Sequence, residues 1–156
     1  MITLTAHHVA KALEELGSIL DGDFRLNEES SCFLNYRDSI PLLLQYVEED
    51  GRLILASEVR NGLEGAPDSE WLRILSIDWL GMRARGCALS PDRDAGSILL
   101  WRDVNPADLN GQKLQEAIEA FLGEVIAVRE YLDDPASSGE PEETDLATPS
   151  GGFVRA

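Results

Sequence analysis

Of the residue types that carry acid–base, nucleophilic or metal chemistry, the chain has two histidines, two cysteines and many carboxylates. His7 and His8 are adjacent. Neighbours on a helix point about 100° apart, so two imidazoles so placed cannot hold one metal from one face. No cysteine or carboxylate near them completes a ligand set. Cys32 and Cys87 lie far apart in apolar stretches and form no motif. There each reads as a small hydrophobe, and without a secretory signal a disulfide between them is not expected. Asp92-x-Asp94-x-Gly96 begins like a calcium loop. That loop needs a third oxygen ligand, then a glycine, then a bidentate glutamate, and Gly96, Ser97 and Asp103 stand in those places. A polar hairpin turn is the better reading. No glycine-rich phosphate loop and no G-x-S-x-G nucleophile elbow is present. The pairs Glu14-Glu15, Glu28-Glu29 and Glu48-Glu49 read as solvated helix or turn residues. The sequence therefore points away from an enzyme, with no catalytic residues, no metal site and no cofactor.

Composition narrows the partners. The 156 residues fit one domain with a short tail, and 44% hydrophobic and 27% charged residues are ordinary for a globular protein. The charge balance is not ordinary: 29 acidic against 13 basic residues give a net charge of -16. Such a field repels phosphate backbones and anionic bilayers, so neither nucleic acid nor membrane insertion is expected. Basic residues such as Arg52, Arg60, Arg73, Arg83, Arg85 and Arg93 are scattered singly, with no basic–aromatic platform for single strands. Ile40-Pro41-Leu42-Leu43-Leu44 is far too short to span a membrane, and Met1-Ile2-Thr3-Leu4-Thr5 lacks the basic start of a signal peptide. A cytosolic protein is expected.

The elements follow from periodicity. Val9, Leu13, Leu16 and Leu20 recur at helical steps, predicting an amphipathic helix over 4–20 that ends before Gly22. Phe24-Arg25-Leu26-Asn27 alternates briefly and Cys32 to Tyr36 is aromatic and apolar; both read as strands. Pro41–Val47 and Arg52–Val59 flank Glu48-Glu49-Asp50-Gly51, a strong hairpin signal because glycine accepts the positive φ of the turn. After Asn61–Pro67, Asp68 or Ser69 is expected to cap a second helix carrying Trp71, Leu72, Leu75, Trp79 and Met82 and ending at Gly86. Cys87–Leu89 and Ser97–Val104 read as strands joined by the polar turn. Asn105 as cap and Pro106 at the first position predict the start of a long helix with Leu114, Ile118, Phe121, Leu122, Val125, Val128 and Leu132 on one stripe. The expected order is helix, three strands, helix, two strands, helix: an α+β domain with an antiparallel twisted sheet and three helices over residues 1–132. Residues 133–156, acidic and rich in Pro, Ser and Gly, are expected to form a disordered tail.

The informative excess is apolar surface on the strands. Ile40, Leu42, Leu44 and Tyr46 share one face, with Leu43 and Val47 on the other; Leu53, Leu55 and Val59 oppose Ile54 and Ala56; Ile98, Leu100 and Val104 oppose Leu99 and Trp101. A sheet covered on one side should alternate with polar residues. Either three helices cover both faces, or one face or edge awaits another chain. The second helix is likewise apolar on more than one side, as core or as a dimer interface.

The pattern resembles the class I chaperones of bacterial type III secretion. The carriers are the opening helix with Leu13, Leu16 and Leu20, the segment Phe24-Arg25-Leu26-Asn27-Glu28-Glu29, the hairpin Leu42–Leu55 around Asp50-Gly51, and the long closing helix. The resemblance covers 4–132. Within that family it is nearest to the general, multi-cargo export chaperones of plant pathogens. It implies a small acidic homodimer in the bacterial cytoplasm. Such a dimer binds the N-terminal region of secreted effector proteins, keeps them extended, soluble and export-competent, and hands them to the export apparatus, with an export ATPase as the usual next partner. It implies Trp71, Leu75, Trp79, Cys87 and Leu89 at the dimer interface, and Leu26, Phe33, Leu43, Ile54 and Trp101 in cargo patches. The tail departs from the compact family pattern. The charge alone leaves a second reading: an acidic inhibitor that mimics nucleic acid and binds a basic partner.

Overall fold

A computed structural model describes residues 4–37, 40–77 and 86–133. Among them the elements run α1 (Leu4–Leu20), β1 (Ser31–Tyr36), β2 (Ile40–Val47), β3 (Arg52–Arg60), α2 (Asp68–Leu75), β4 (Ala88–Asp92), β5 (Ser97–Val104) and α3 (Gly111–Asp133). The strands make one antiparallel sheet in the order β1-β2-β3-β5-β4, so β1 and β4 are its edges. This is the expected α+β architecture. The Asp50-Gly51 hairpin forms as read, with Gly51 at φ 62° and its N–H donating to the Glu48 carbonyl.

The long helices α1 and α3 pack against each other and on one face of the sheet. That face carries the set predicted from alternation. Leu42, Leu44, Leu53, Leu55, Ile98 and Leu100 are all buried, and they meet Val9, Leu13 and Leu16 of α1 and Leu114, Phe121 and Val125 of α3. Every apolar residue of the predicted stripe of α3 is buried. Burial of this kind is the main term favouring the fold. The helices approach closely at Gly111, where a Cβ would lie 2.5 Å from Cβ of Glu15, and the Gly111 N–H donates to the Glu15 carboxylate.

Several local expectations are corrected. Phe24–Asn27 is not a strand of the sheet. Its Asn27 side chain accepts from the N–H groups of Glu29 and Ser31, turning the chain into β1, while Phe24 and Leu26 pack on the core. The cap of α3 is Asn110, whose side chain accepts from Lys113 N–H. Asn105 instead closes a separate turn with Ala107. Both asparagines carry the same local signal; the close approach of Gly111 to α1 selects the later one. At α2 neither Asp68 nor Ser69 caps: the residue before the helix is Pro67, with no side-chain cap bond. The Asp68 carboxylate pairs with Arg93 at 2.8 Å. α2 ends at Leu75 with Ser76 as its C-cap, short of the expected end at Gly86, and Trp79 and Met82 lie outside the described residues. The expected boundary at residue 132 falls in the last turn of α3, and the tail beyond Asp133 also lies outside them.

Two glycines of α3 should respond oppositely to alanine. Gly111→Ala forces a methyl into α1 and is expected to cost about 1–3 kcal/mol. Gly123→Ala meets nothing within 4 Å. It should stabilise by roughly 0.5–1 kcal/mol through helix propensity alone. Urea denaturation midpoints of the two variants check both signs.

Candidate functional site

The sheet face turned away from α1 and α3 is where sequence and register combine. Phe33 pairs with Leu43, Leu43 with Ala56, Ala56 with Trp101, and Trp101 with Ala88. Side chains of residues paired in this way stand side by side on one face. The result is a single apolar row that crosses all five strands. Phe33 at its end is 71% exposed, whereas Leu43 and Trp101 are half-buried against their neighbours. The next row runs Ser31, Gln45, Ile54 and Asp103. Four of the five expected cargo residues, Phe33, Leu43, Ile54 and Trp101, therefore share this face, three of them in one row. Leu26 is not with them. It lies between α1 and β1, half-buried on the core, and lines a cleft with Glu14, Asp21, Asp23, Phe24 and Arg25.

A second apolar surface adjoins the first at β1. The end of α1 (Leu16, Leu20), Phe24, β1 (Leu34, Tyr36) and α3 (Ile118, Leu122) enclose a groove of about 210 Å³, with Gln115 and Glu119 on its rim. Leu20 is 48% exposed there. Sequence reading missed this groove. The stripe of α1 contained Leu16 and Leu20, but nothing local shows that β1 is an edge strand or that α3 lies beside it.

The expected dimer residues fall near one edge, on or beside α2 and β4. Trp71 and Cys87 are already buried within a single chain; Leu75 and Leu89 are half-buried against the same core. The Arg93 guanidinium lies 5.3 Å over the Trp71 ring. Leu72 of α2 is 66% exposed. Trp79 lies outside the described residues.

The ionisable groups are arranged structurally. Arg52 bridges Asp103 at 3.1 Å and Asp50 at 2.9 Å, and hydrogen bonding to Asp103, then Asp50, holds its pKa above the ordinary value. Glu70 is held below the ordinary carboxylate value by its hydrogen bond to Arg73. Burial pushes the Cys32 thiol up, so it stays protonated rather than nucleophilic. Asp92 accepts from the Ala95 N–H inside the β4–β5 turn, as a polar hairpin does. Among the described residues no group of three or more His, Cys, Asp or Glu could hold a metal, and no helix is long and apolar enough to cross a membrane.

The fold is an α+β module: an antiparallel sheet with one face packed, one face partly open and apolar, and a groove beside its edge strand. The sequence profile of the Tir chaperone protein (CesT) family matches residues 11–129, and the chain belongs to that family. Comparison with curated proteins found no match. Among solved structures the chain is similar to a chain of the HopA1–SchA chaperone–effector complex, at 15% identity and a TM-score of 0.65, covering 83% of this chain and 99% of that one. It is similar to a chain of the ExsC–ExsE complex at 20% identity and a TM-score of 0.66, covering 83% and 96%. A third is from the Yersinia pestis type III secretion chaperone SycH in complex with a stable fragment of YscM2, at 19% identity and a TM-score of 0.56, covering 76% and 98%. At these identities the likeness establishes a common fold.

The open face and the packed face should part company on substitution. Phe33→Ser is expected to leave stability within about 0.5 kcal/mol, as an exposed site does. Leu44→Ala, at a fully buried site, should cost about 2–5 kcal/mol. Thermal and urea unfolding of both variants test whether the face is free.

Proposed function

We propose that this chain is a type III secretion chaperone that binds the N-terminal region of effector proteins, keeps it soluble and export-competent, and delivers it to the export apparatus. The observation that carries the reading is the position of β1. It is an edge strand whose side chains alternate between the two apolar surfaces: Leu34 and Tyr36 face the groove, and Phe33 faces the open row. An extended cargo segment added beside β1 would send alternate side chains to the same two places. Main-chain bonds then supply affinity without demanding one sequence, and apolar anchors supply the rest. Such a function is binding without chemistry, and it fits a protein of the bacterial cytoplasm.

Cargo contact is assigned to Phe33, Leu43, Ile54 and Trp101 on the face, with Leu26 beside the acidic cleft, and to Leu20 and Leu34 in the groove. The homodimer is assigned to the α2–β4 edge, with Leu72, Leu75 and Leu89 at the contact and Trp71 and Cys87 supporting them from behind; Trp79 belongs to the same proposed interface. An export ATPase is the proposed next partner. The open apolar row favours this reading over an acidic nucleic-acid mimic, which would offer a carboxylate face instead.

Co-expression with candidate effectors, followed by pull-down and limited proteolysis, tests the proposal: an effector N-terminal segment should become protease-resistant when bound. Leu20→Ser should weaken that complex by roughly tenfold or more, as loss of an interface anchor does. Light scattering should show a species of twice the chain mass. Effectors digested equally with and without the chaperone would sink the reading.

A further inference from the structure

The groove beside β1 has a candidate occupant within the chain itself. After Asp133 come nineteen residues, 134–152, in which Leu146 is the one large apolar side chain, and then Phe153-Val154-Arg155. Phe153 and Val154 form an aromatic–aliphatic pair, and Arg155 is the basic residue in this part of the sequence, against Asp134, Glu140, Glu142, Glu143 and Asp145. We propose that Phe153 and Val154 fill the groove lined by Leu20, Phe24, Leu34, Ile118 and Leu122 as a tethered competitor of cargo. This rests on the groove being the cargo site proposed above.

Two arguments select this occupant. The first is reach. The tether starts at Asp133, and Leu122 and Ile118 lie 11 and 15 residues earlier on the same helix. At 1.5 Å per residue the return distance is about 17–23 Å. Treated as a coil, nineteen residues would have a root-mean-square span of about 24 Å. Effective concentration is greatest when span and distance match, and is then of millimolar order. The second is charge. Glu119 lines the groove, and Glu14, Asp21 and Asp23 line the cleft that shares Phe24 with it, where Arg25 pairs with Asp23 at 2.8 Å. An arginine following two apolar anchors would meet Glu119 at the groove and Glu14 and Asp21 in the adjoining cleft.

The consequence is a cargo threshold. If the segment alone binds with a dissociation constant of about 0.1–1 mM, tethering leaves roughly a tenth to a half of the grooves free, and apparent cargo affinity falls by about two- to tenfold. A weak or incomplete cargo segment is then excluded, while one that also pairs with β1 displaces the competitor.

Methyl NMR of the full chain tests this. F153A/V154A should shift the methyl signals of Leu20, Leu34, Ile118 and Leu122 and leave those of Leu53 and Ile98, buried on the core side of the central strands, in place. A synthetic peptide spanning residues 148–156, added at millimolar concentration to that variant, should restore the original shifts. Groove methyls that do not respond to the substitution, or a peptide that restores nothing, would overturn the proposal. With an effector N-terminal peptide as probe, the variant should bind about two- to tenfold more tightly. If the effector binds both forms equally, the competitor is refuted while the chaperone reading stands. If methyls shift but no effector binds either form, the self-contact stands and the chaperone reading fails.

Discussion

A five-stranded sheet has two faces, and the two long helices of this chain pack on one. Most of the other features follow from that inequality. The packed face takes Leu42, Leu44, Leu53, Leu55, Ile98 and Leu100 out of water and supplies the core. The opposite face is nevertheless apolar along the row from Phe33 to Ala88. In a sheet with one wet face the alternation should be apolar inside and polar outside. Its failure here places apolar side chains where the fold does not need them, and Phe33, 71% exposed, is the plainest case.

The edge strand makes this surface usable. An unpaired edge is a template for another chain, and proteins ordinarily blunt it with charge, proline or a bulge. Among the described residues β1 carries none of these within Ser31–Tyr36. The bulge in this sheet lies instead at Glu58–Arg60, between β3 and β5, where Arg129 donates to the Glu58 carbonyl and Arg60 pairs with Asp133. That irregularity ties the end of α3 to the sheet centre and leaves the edge regular. The groove of Leu16, Leu20, Ile118 and Leu122 then lies on one side of β1 and the apolar row on the other. A single added strand could be read by both.

What the sequence revealed depended on the range of the cause. Period-two alternation is local, so the sequence separates Leu43 from Leu42 and Leu44, Ile54 from Leu53 and Leu55, and Trp101 from Leu100, and the pairing register then puts the three on one face. The Asp50-Gly51 turn is local too, and it set the register that brings Leu43 opposite Ala56. Strand order is not local. Nothing near residues 31–36 says that β1 ends the sheet, so the groove is not legible in the sequence although Leu16 and Leu20 stand on the apolar stripe of α1. Asn105 and Asn110 show the same limit at smaller scale. Both are sound caps by type, and a contact made with Glu15, nearly a hundred positions away, decides between them. Trp71 shows it again: helical spacing could not tell core from interface, and packing with Arg93 over its ring buries it within one chain.

The net charge of -16 belongs to the same argument. A regular edge strand beside an exposed apolar row invites pairing between copies of the chain, and at high concentration that leads to aggregation. Like charge on every copy opposes such encounters over a Debye length of about 8 Å at physiological ionic strength. It does not oppose a segment that brings few acidic residues of its own or carries a basic one. Excess negative charge therefore filters partners at the distance of approach, and the apolar groove and row act only after contact. The same repulsion acts at the β1 edge and the apolar row, away from the α2–β4 edge proposed for the dimer, and opposes open-ended pairing of further copies there.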